Sequence, residues 1–260
     1  MAIKDGLNIK DGEIRSYLLI GQSNMAGRGT VGDVPPIENK SCLMLRMGRW
    51  QKMSEPINPD RSIFEGSPRS GICLGASFAD EVARATGDRV GLIPCADGGT
   101  KLSQWMPGEV LYDHAVMMTK LAMRSSRLCG ILWHQGESDC LHEEQVRSYV
   151  ARFAEMITAM RRELGAENVP VIIGELSLLI DPKYNRSEYL GEMNENFAEI
   201  ARRVPHCGVV SSKGLTLKAD GLHFDAPSLR EFGRRYFQTY TSINENLKGA
   251  TDCERPDKCR

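Results

Sequence analysis

Short apolar runs that alternate with long amphipathic stretches predict an α/β fold, a parallel sheet covered by helices. Two further observations agree. The apolar run Tyr17-Leu-Leu-Ile20 ends at a glycine, and polar turn residues follow it at once. The longest amphipathic stretch carries Val146, Tyr149, Val150, Phe153, Met156, Ile157 and Met160 at the 3.6-residue period of a helix with one buried face. In chain order, strands are predicted at 16–20, 89–94, 130–134, 169–174 and 207–210, each an apolar run short enough to be buried on both faces. Helices are predicted at 75–86, 111–124, 143–164, 191–203 and 227–244. Segments 30–70 and 177–188 are rich in Pro, Gly, Asn and Ser and read as irregular. The first is expected to run over the carboxyl edge of the sheet and shape a substrate cleft.

Without repeats or a linker of distinct composition, the 260 residues read as a single domain, 1–260, with its core at about 15–245. A net charge of -1 gives no bulk electrostatic attraction to nucleic acid or membrane surfaces, so neither is an expected partner. Self-association is compatible with this composition. No apolar run approaches the roughly 20 residues needed to cross a bilayer. Residues 1–10 are charged and lack the apolar centre of a secretion signal, so the expected location is cytoplasmic. Eight cysteines include no C-x-x-C pair, which disfavours a zinc knuckle or redox motif and fits free thiols in a reducing compartment. Cys253 and Cys259 are expected in a polar tail.

Chemistry gathers at the strand ends. Ser23 follows the first strand through a glycine turn, the position where open α/β folds bind ligands and where a serine nucleophile can be presented. Met25 occupies the place of the second glycine of the G-x-S-x-G elbow, so the segment alone is also ordinary turn chemistry. Gln22 and Asn24 flank Ser23 as candidate oxyanion or substrate contacts. After the second strand, Gly98 and Gly99 can present a backbone N–H to an oxyanion. At the end of the third, Gln135 offers a side-chain donor, and Glu137 can orient a histidine or bind a hydroxyl. His134, Glu137, Asp139 and His142 lack the H-E-x-x-H spacing of a metal helix, so no metal is assigned. Near the end, Asp220 and His223 bracket a glycine. A turn there brings the carboxylate to Nδ1 and leaves Nε2 as a base.

Gly21-Gln-Ser-Asn-Met25, Gly98-Gly-Thr100, Trp133-His-Gln-Gly-Glu-Ser138 and Asp220-Gly-Leu-His-Phe-Asp225 resemble the sialate O-acetylesterase and acetylxylan esterase branch of the SGNH hydrolases. Trp105, Arg230, Gly233 and Arg235-Tyr236 look like the same branch, in collinear order over roughly Arg15 to Tyr240. The resemblance implies a three-layer α/β/α sandwich with a parallel central sheet, flavodoxin-like, and no metal or organic cofactor. It implies Ser23 as nucleophile, His223 as general base and Asp220 as its orienting acid, with Glu137 a rival for that last role. It also implies an oxyanion hole from the Ser23 N–H, the Gly98 or Gly99 N–H and the Gln135 side chain. Gln135 stands where many SGNH enzymes have asparagine.

The expected reaction is removal of O-acetyl groups from a small acetylated carbohydrate, an acetylated xylo-oligosaccharide or an O-acetylated sialic acid, through an acetyl-enzyme. Arg28, Arg69, Trp105 and Trp133 are candidate sugar contacts, although tryptophans more often pack in cores. Two alternatives compete: a catalytically silent carbohydrate-binding protein on the same fold, and a short-chain serine esterase acting on non-sugar esters. The absence of an extended apolar lid disfavours long acyl chains.

Overall fold

The computed structural model describes residues 13–58, 70–184 and 187–253. Strands β1 (Ile14–Gly21), β2 (Cys42–Arg46), β3 (Arg49–Lys52), β4 (Arg89–Pro94), β5 (Ser126–His134), β6 (Val171–Gly174) and β7 (Cys207–Val210) form one sheet in the order β3-β2-β4-β1-β5-β6-β7. All neighbouring pairs are parallel except the β2–β3 hairpin at one edge. The helices are α1 (Ser23–Ala26), α2 (Leu74–Thr86), α3 (Val110–Ala122), α4 (Glu143–Leu164), α5 (Ser187–Arg203) and α6 (Ala226–Cys253).

Alternation along β1 divides the core in two. Leu18 and Ile20 join α3, α4 and α5 on one face, while Tyr17 and Leu19 join α2 and α6 on the other. This is the three-layer α/β/α sandwich. All four side chains are fully buried, which is why the run reads as continuously apolar rather than alternating. Helix α4 places Glu143 and Glu144 in its first turn and Arg161 and Arg162 in its last, charges that complement the helix dipole.

Chain order reverses at β1, with β4 on one side and β5 on the other. The crevice at the carboxyl end of such a reversal is where open α/β sheets take ligands. The turns after β1, β4 and β5 therefore meet there. Gln22 N–H donates to the His134 carbonyl at 2.8 Å, and Asp97 N–H donates to the Gly21 carbonyl at 2.9 Å, lacing the three turns together. Gly21 is what permits this approach: its φ is +129°, and a Cβ there would lie 2.2 Å from the His134 carbonyl oxygen. Because that neighbour is backbone, Gly21→Ala is expected to cost about 4 kcal/mol or more. Urea unfolding checks this; a midpoint near wild type would contradict the close approach.

Two expectations are corrected. Segment 30–70 is not wholly irregular, since β2 and β3 lie within it. Cys42-Leu-Met-Leu-Arg46 is only five residues long between turn signals, and its strand character comes from pairing with β4. Its partner β3 is short, polar and largely exposed, as suits an edge strand. Helix α6 extends nine residues past its predicted end and takes Cys253 out of the expected tail. The apolar periodicity used to place its end reports burial, whereas backbone hydrogen bonding continues beyond the packed face. Cys259 and Arg69 lie outside the described residues. Among the described residues, no helix is long and apolar enough to cross a membrane.

Candidate active site

Ser23 opens the short helix α1 directly after β1 and is 6% exposed. Its Oγ lies 3.0 Å from His223 Nε2, and His223 Nδ1 lies 3.0 Å from Asp220 Oδ2. The turn that joins the last two residues is fixed by its own backbone. Asp220 Oδ1 accepts the Leu222 and His223 N–H groups, both at 3.0 Å, while Oδ2 faces the imidazole. The Lys218 N–H donates to the His223 carbonyl at 2.8 Å, and the Asp181 N–H to the Gly221 carbonyl at 2.8 Å, bracing the loop from both sides. Burial alone would raise the Asp220 carboxyl. The His223 amide and imidazole and the Leu222 amide outweigh it and hold Asp220 at about 2.

The structure separates the two carboxylates that competed for His223. Glu137, 3% exposed, accepts a hydrogen bond from Asn24 Nδ2 at 2.8 Å and lies 3.4 Å from His134 Nε2. Asn24 Oδ1 in turn accepts the N–H of Phe224, the residue after His223, at 3.1 Å. Glu137 thus does not meet His223; through Asn24 it joins the serine turn to the histidine loop. Burial raises its carboxyl, but contacts with His134 and Asn24 prevail and keep it below its ordinary range. Asn24 is likewise 1% exposed, and both ends of its amide are engaged in this brace.

Gln135 is engaged by its neighbours as well. It is fully buried; its Oε1 accepts the Tyr149 hydroxyl at 2.8 Å, and its Nε2 lies 2.7 Å from Asp139 Oδ2 and 2.9 Å from the Thr100 carbonyl. So engaged, the amide braces the Gly98-Gly-Thr100 turn. Gln22 leans on the same group: its Oε1 lies 3.2 Å from Gln135 Nε2 and 3.3 Å from the Ser138 amide nitrogen, both of which donate to it. Gly98 is the glycine beside the serine, since a Cβ built on it would sit 3.7 Å from Ser23 Cβ. Gly99 instead turns the chain with a φ of +74°.

Trp105 and Trp133, candidate sugar contacts for which core packing was the stronger expectation, are fully buried and packed edge to face at 5.6 Å. The Trp105 indole donates to Thr100 Oγ1 at 3.1 Å, so it supports the glycine turn from behind. Arg230 pairs through both guanidinium nitrogens with Glu55 and tethers α6 to the chain beyond β3. The Arg230 role was not legible in the sequence, because Glu55 lies 175 residues away along the chain.

An open sheet whose first strand delivers a buried serine to a histidine and an aspartate from the last loop defines the SGNH hydrolase class. Residues 13–242 match the family described as carbohydrate esterase, sialic acid-specific acetylesterase, and the chain belongs to that family. It is 31% identical over 249 residues to a probable carbohydrate esterase of Arabidopsis thaliana, covering 87% of this chain and 90% of that one. The crystal structure of the Arabidopsis protein superposes with a TM-score of 0.78 at 29% identity, covering 88% and 98% of the two chains. The fold is shared with NanS (TM-score 0.73, 15% identity, 93% and 99% covered). It is shared too with Axe2, an acetylxylan esterase from Geobacillus stearothermophilus (TM-score 0.55, 12% identity, 89% and 96% covered). The chain is a carbohydrate esterase.

Proposed function

We propose that this esterase removes O-acetyl groups from sugars through an acetyl-enzyme formed on Ser23. The hydrogen-bonded run from Ser23 Oγ to His223 to Asp220, 3.0 Å at each step, is the observation that carries the reading. His223 Nε2 takes the hydroxyl proton as Oγ attacks the acetyl carbonyl, and Asp220 stabilises the imidazolium that forms. The oxyanion is met by the N–H groups of Ser23 and Gly98, neither of which donates to a backbone acceptor among the described residues. His223 then protonates the departing sugar hydroxyl, and the same nitrogen later activates the water that releases acetate.

A small acyl group fits the surroundings of the serine. Gly98 and the guanidinium of Arg28 crowd the space beside Ser23, and neither offers an apolar channel. Free, buried thiols at Cys42, Cys73, Cys95, Cys129 and Cys140 support a reducing, cytoplasmic location. Burial pushes the Cys42 and Cys73 thiols up to about 12, so they remain protonated and unreactive.

Turnover of p-nitrophenyl acetate, butyrate and octanoate tests the acyl preference, with kcat/KM expected to fall about 100-fold or more from acetate to octanoate. A preference for octanoate would defeat the acetyl reading. Acetate release from acetylated xylo-oligosaccharides and O-acetylated sialic acids tests the sugar; if only non-sugar esters react, the non-sugar alternative takes its place.

A further inference from the structure

Asp139 sits in the turn after β5 with no exposed surface, and its own amide donates to the Gly136 carbonyl at 3.0 Å. Its carboxylate meets three donors among the described residues. Oδ2 accepts the Leu102 N–H at 2.9 Å and the Gln135 side-chain amide at 2.7 Å, and Arg152 Nη2 on α4 lies 3.3 Å from Oδ1. Arg152 is steadied in turn by the Gln145 carbonyl at 2.8 Å and the Ser148 hydroxyl at 3.0 Å. Taking a carboxylate out of water costs folding free energy, and a group that only accepts suits a place where these three neighbours all donate.

Two of the three donors lead to one place. Gln135 Nε2, held against Asp139, also donates to the Thr100 carbonyl at 2.9 Å, and Leu102 lies two residues further on. Asp139 therefore grips the far end of the Gly98-Gly-Thr100 turn twice, directly and through an amide. The near end is tied to β1, where the Asp97 N–H meets the Gly21 carbonyl at 2.9 Å, and Thr100 Oγ1 closes the turn by donating to the Asp97 carbonyl at 2.9 Å. Between these anchors Gly98 and Gly99 carry no side chain that could hold them, and glycine has the most backbone freedom of any residue. The direction of the Gly98 N–H is thus set by where the two ends are held. A misplacement of about 1 Å at a reacting centre costs on the order of 100-fold in rate.

We propose that Asp139 is a positioning residue for the oxyanion hole: from the turn after β5 it fixes the glycine turn that presents the Gly98 N–H to the oxyanion. The inference rests on the esterase reading above. Gln135 is then the link between Asp139 and Thr100, and Asp139 acts on the transition state without touching substrate. A packing role alone would lower stability and the number of competent sites, yet leave each competent site with the same hold on the oxyanion.

The test uses trifluoroacetone, whose carbonyl carbon bonds to Ser23 Oγ. The hydroxyl proton passes to His223, and the carbonyl oxygen, now negatively charged, occupies the oxyanion hole. The ketone Ki, and kcat and KM on p-nitrophenyl acetate, are measured per competent site, counted with a serine-directed phosphonate. In Asp139→Asn an NH₂ must face either the turn or Arg152, both of which donate. There kcat should fall about 10- to 100-fold with KM within about threefold, and Ki should rise in step with the fall in kcat. Gln135→Met cuts one of the two grips and should cost about 3- to 10-fold in both quantities; it carries the test alone if the first variant does not fold. A Ki unchanged in a folded variant overturns the proposal. A larger loss in Gln135→Met than in Asp139→Asn, or one beyond about tenfold where it stands alone, overturns it too, because Gln135 would then meet the oxyanion itself. If wild type hydrolyses the acetate and binds the ketone while the variants match it, only the Asp139 assignment falls. If wild type does neither, the esterase reading falls and takes this one with it.

Discussion

Ser23→Ala should lower kcat on an acetyl ester by about 10⁴- to 10⁶-fold while leaving KM and the unfolding midpoint close to wild type. The magnitude follows from what one oxygen does. Without Oγ there is no acetyl-enzyme, and what remains is attack by water on an ester held against the Ser23 and Gly98 N–H groups. Stability should be spared because, among the described residues, the Ser23 hydroxyl hydrogen-bonds only to the His223 ring nitrogen, a group on a loop already fixed by the Asp220 turn. Pre-steady-state release of p-nitrophenol from p-nitrophenyl acetate and labelling by a serine-directed phosphonate provide the readouts. Wild type should show a burst and take one phosphonate, and the variant should show neither. A variant that turns over within about tenfold of wild type would remove Ser23 from the chemistry. A wild-type enzyme inert to both reagents would favour the silent carbohydrate-binding alternative.

The parts of this site that the sequence discloses are those whose meaning is local. Ser23 lies two residues beyond the last residue of β1, and Asp220 lies three before His223, so strand end and turn chemistry place both. The two strands at 89–94 and 207–210 and the helix at 143–164 begin and end where the sequence pattern puts them, because each apolar or amphipathic run is bounded by turn residues. What could not be read is which polar group turns toward the cleft. Gln135 and Glu137 stand two residues apart after β5, and both carry suitable chemistry. One braces Thr100 and the other Asn24, through partners 35 and 113 residues away. Trp105 and Trp133 differ in the same way from the exposed indoles of a sugar platform: their burial is decided by α3 and α4 packing over them. Sequence spacing reports the residue type and the strand end, whereas long-range packing chooses the rotamer.

Asp220→Asn and Glu137→Gln separate the two carboxylates. In Asp220→Asn the amide oxygen can still accept the Leu222 and His223 N–H groups, so the turn survives, but an NH₂ then faces His223 Nδ1. A donor there selects the tautomer that carries its proton on Nε2, and such a ring cannot take the proton of Ser23. The expected loss in kcat is about 10³- to 10⁴-fold, with little change in KM. The carboxylate that is lost is one held at about 2 in the folded enzyme, below the ordinary aspartate value. Its stabilising contribution is therefore complete above about pH 4 and disappears only as pH falls through the folded value, so Asp220 does not limit the rate at neutral pH. Glu137→Gln can still present an oxygen to Asn24 but loses the charge facing His134. It should cost about 2 kcal/mol of stability and no more than about tenfold in kcat, through slack between the serine turn and the histidine loop. Parallel urea unfolding and kcat measurements distinguish the two roles, since one variant should fail in rate and the other in stability. A larger rate loss in Glu137→Gln than in Asp220→Asn would transfer the orienting role to Glu137 and require the histidine loop to be rearranged during turnover.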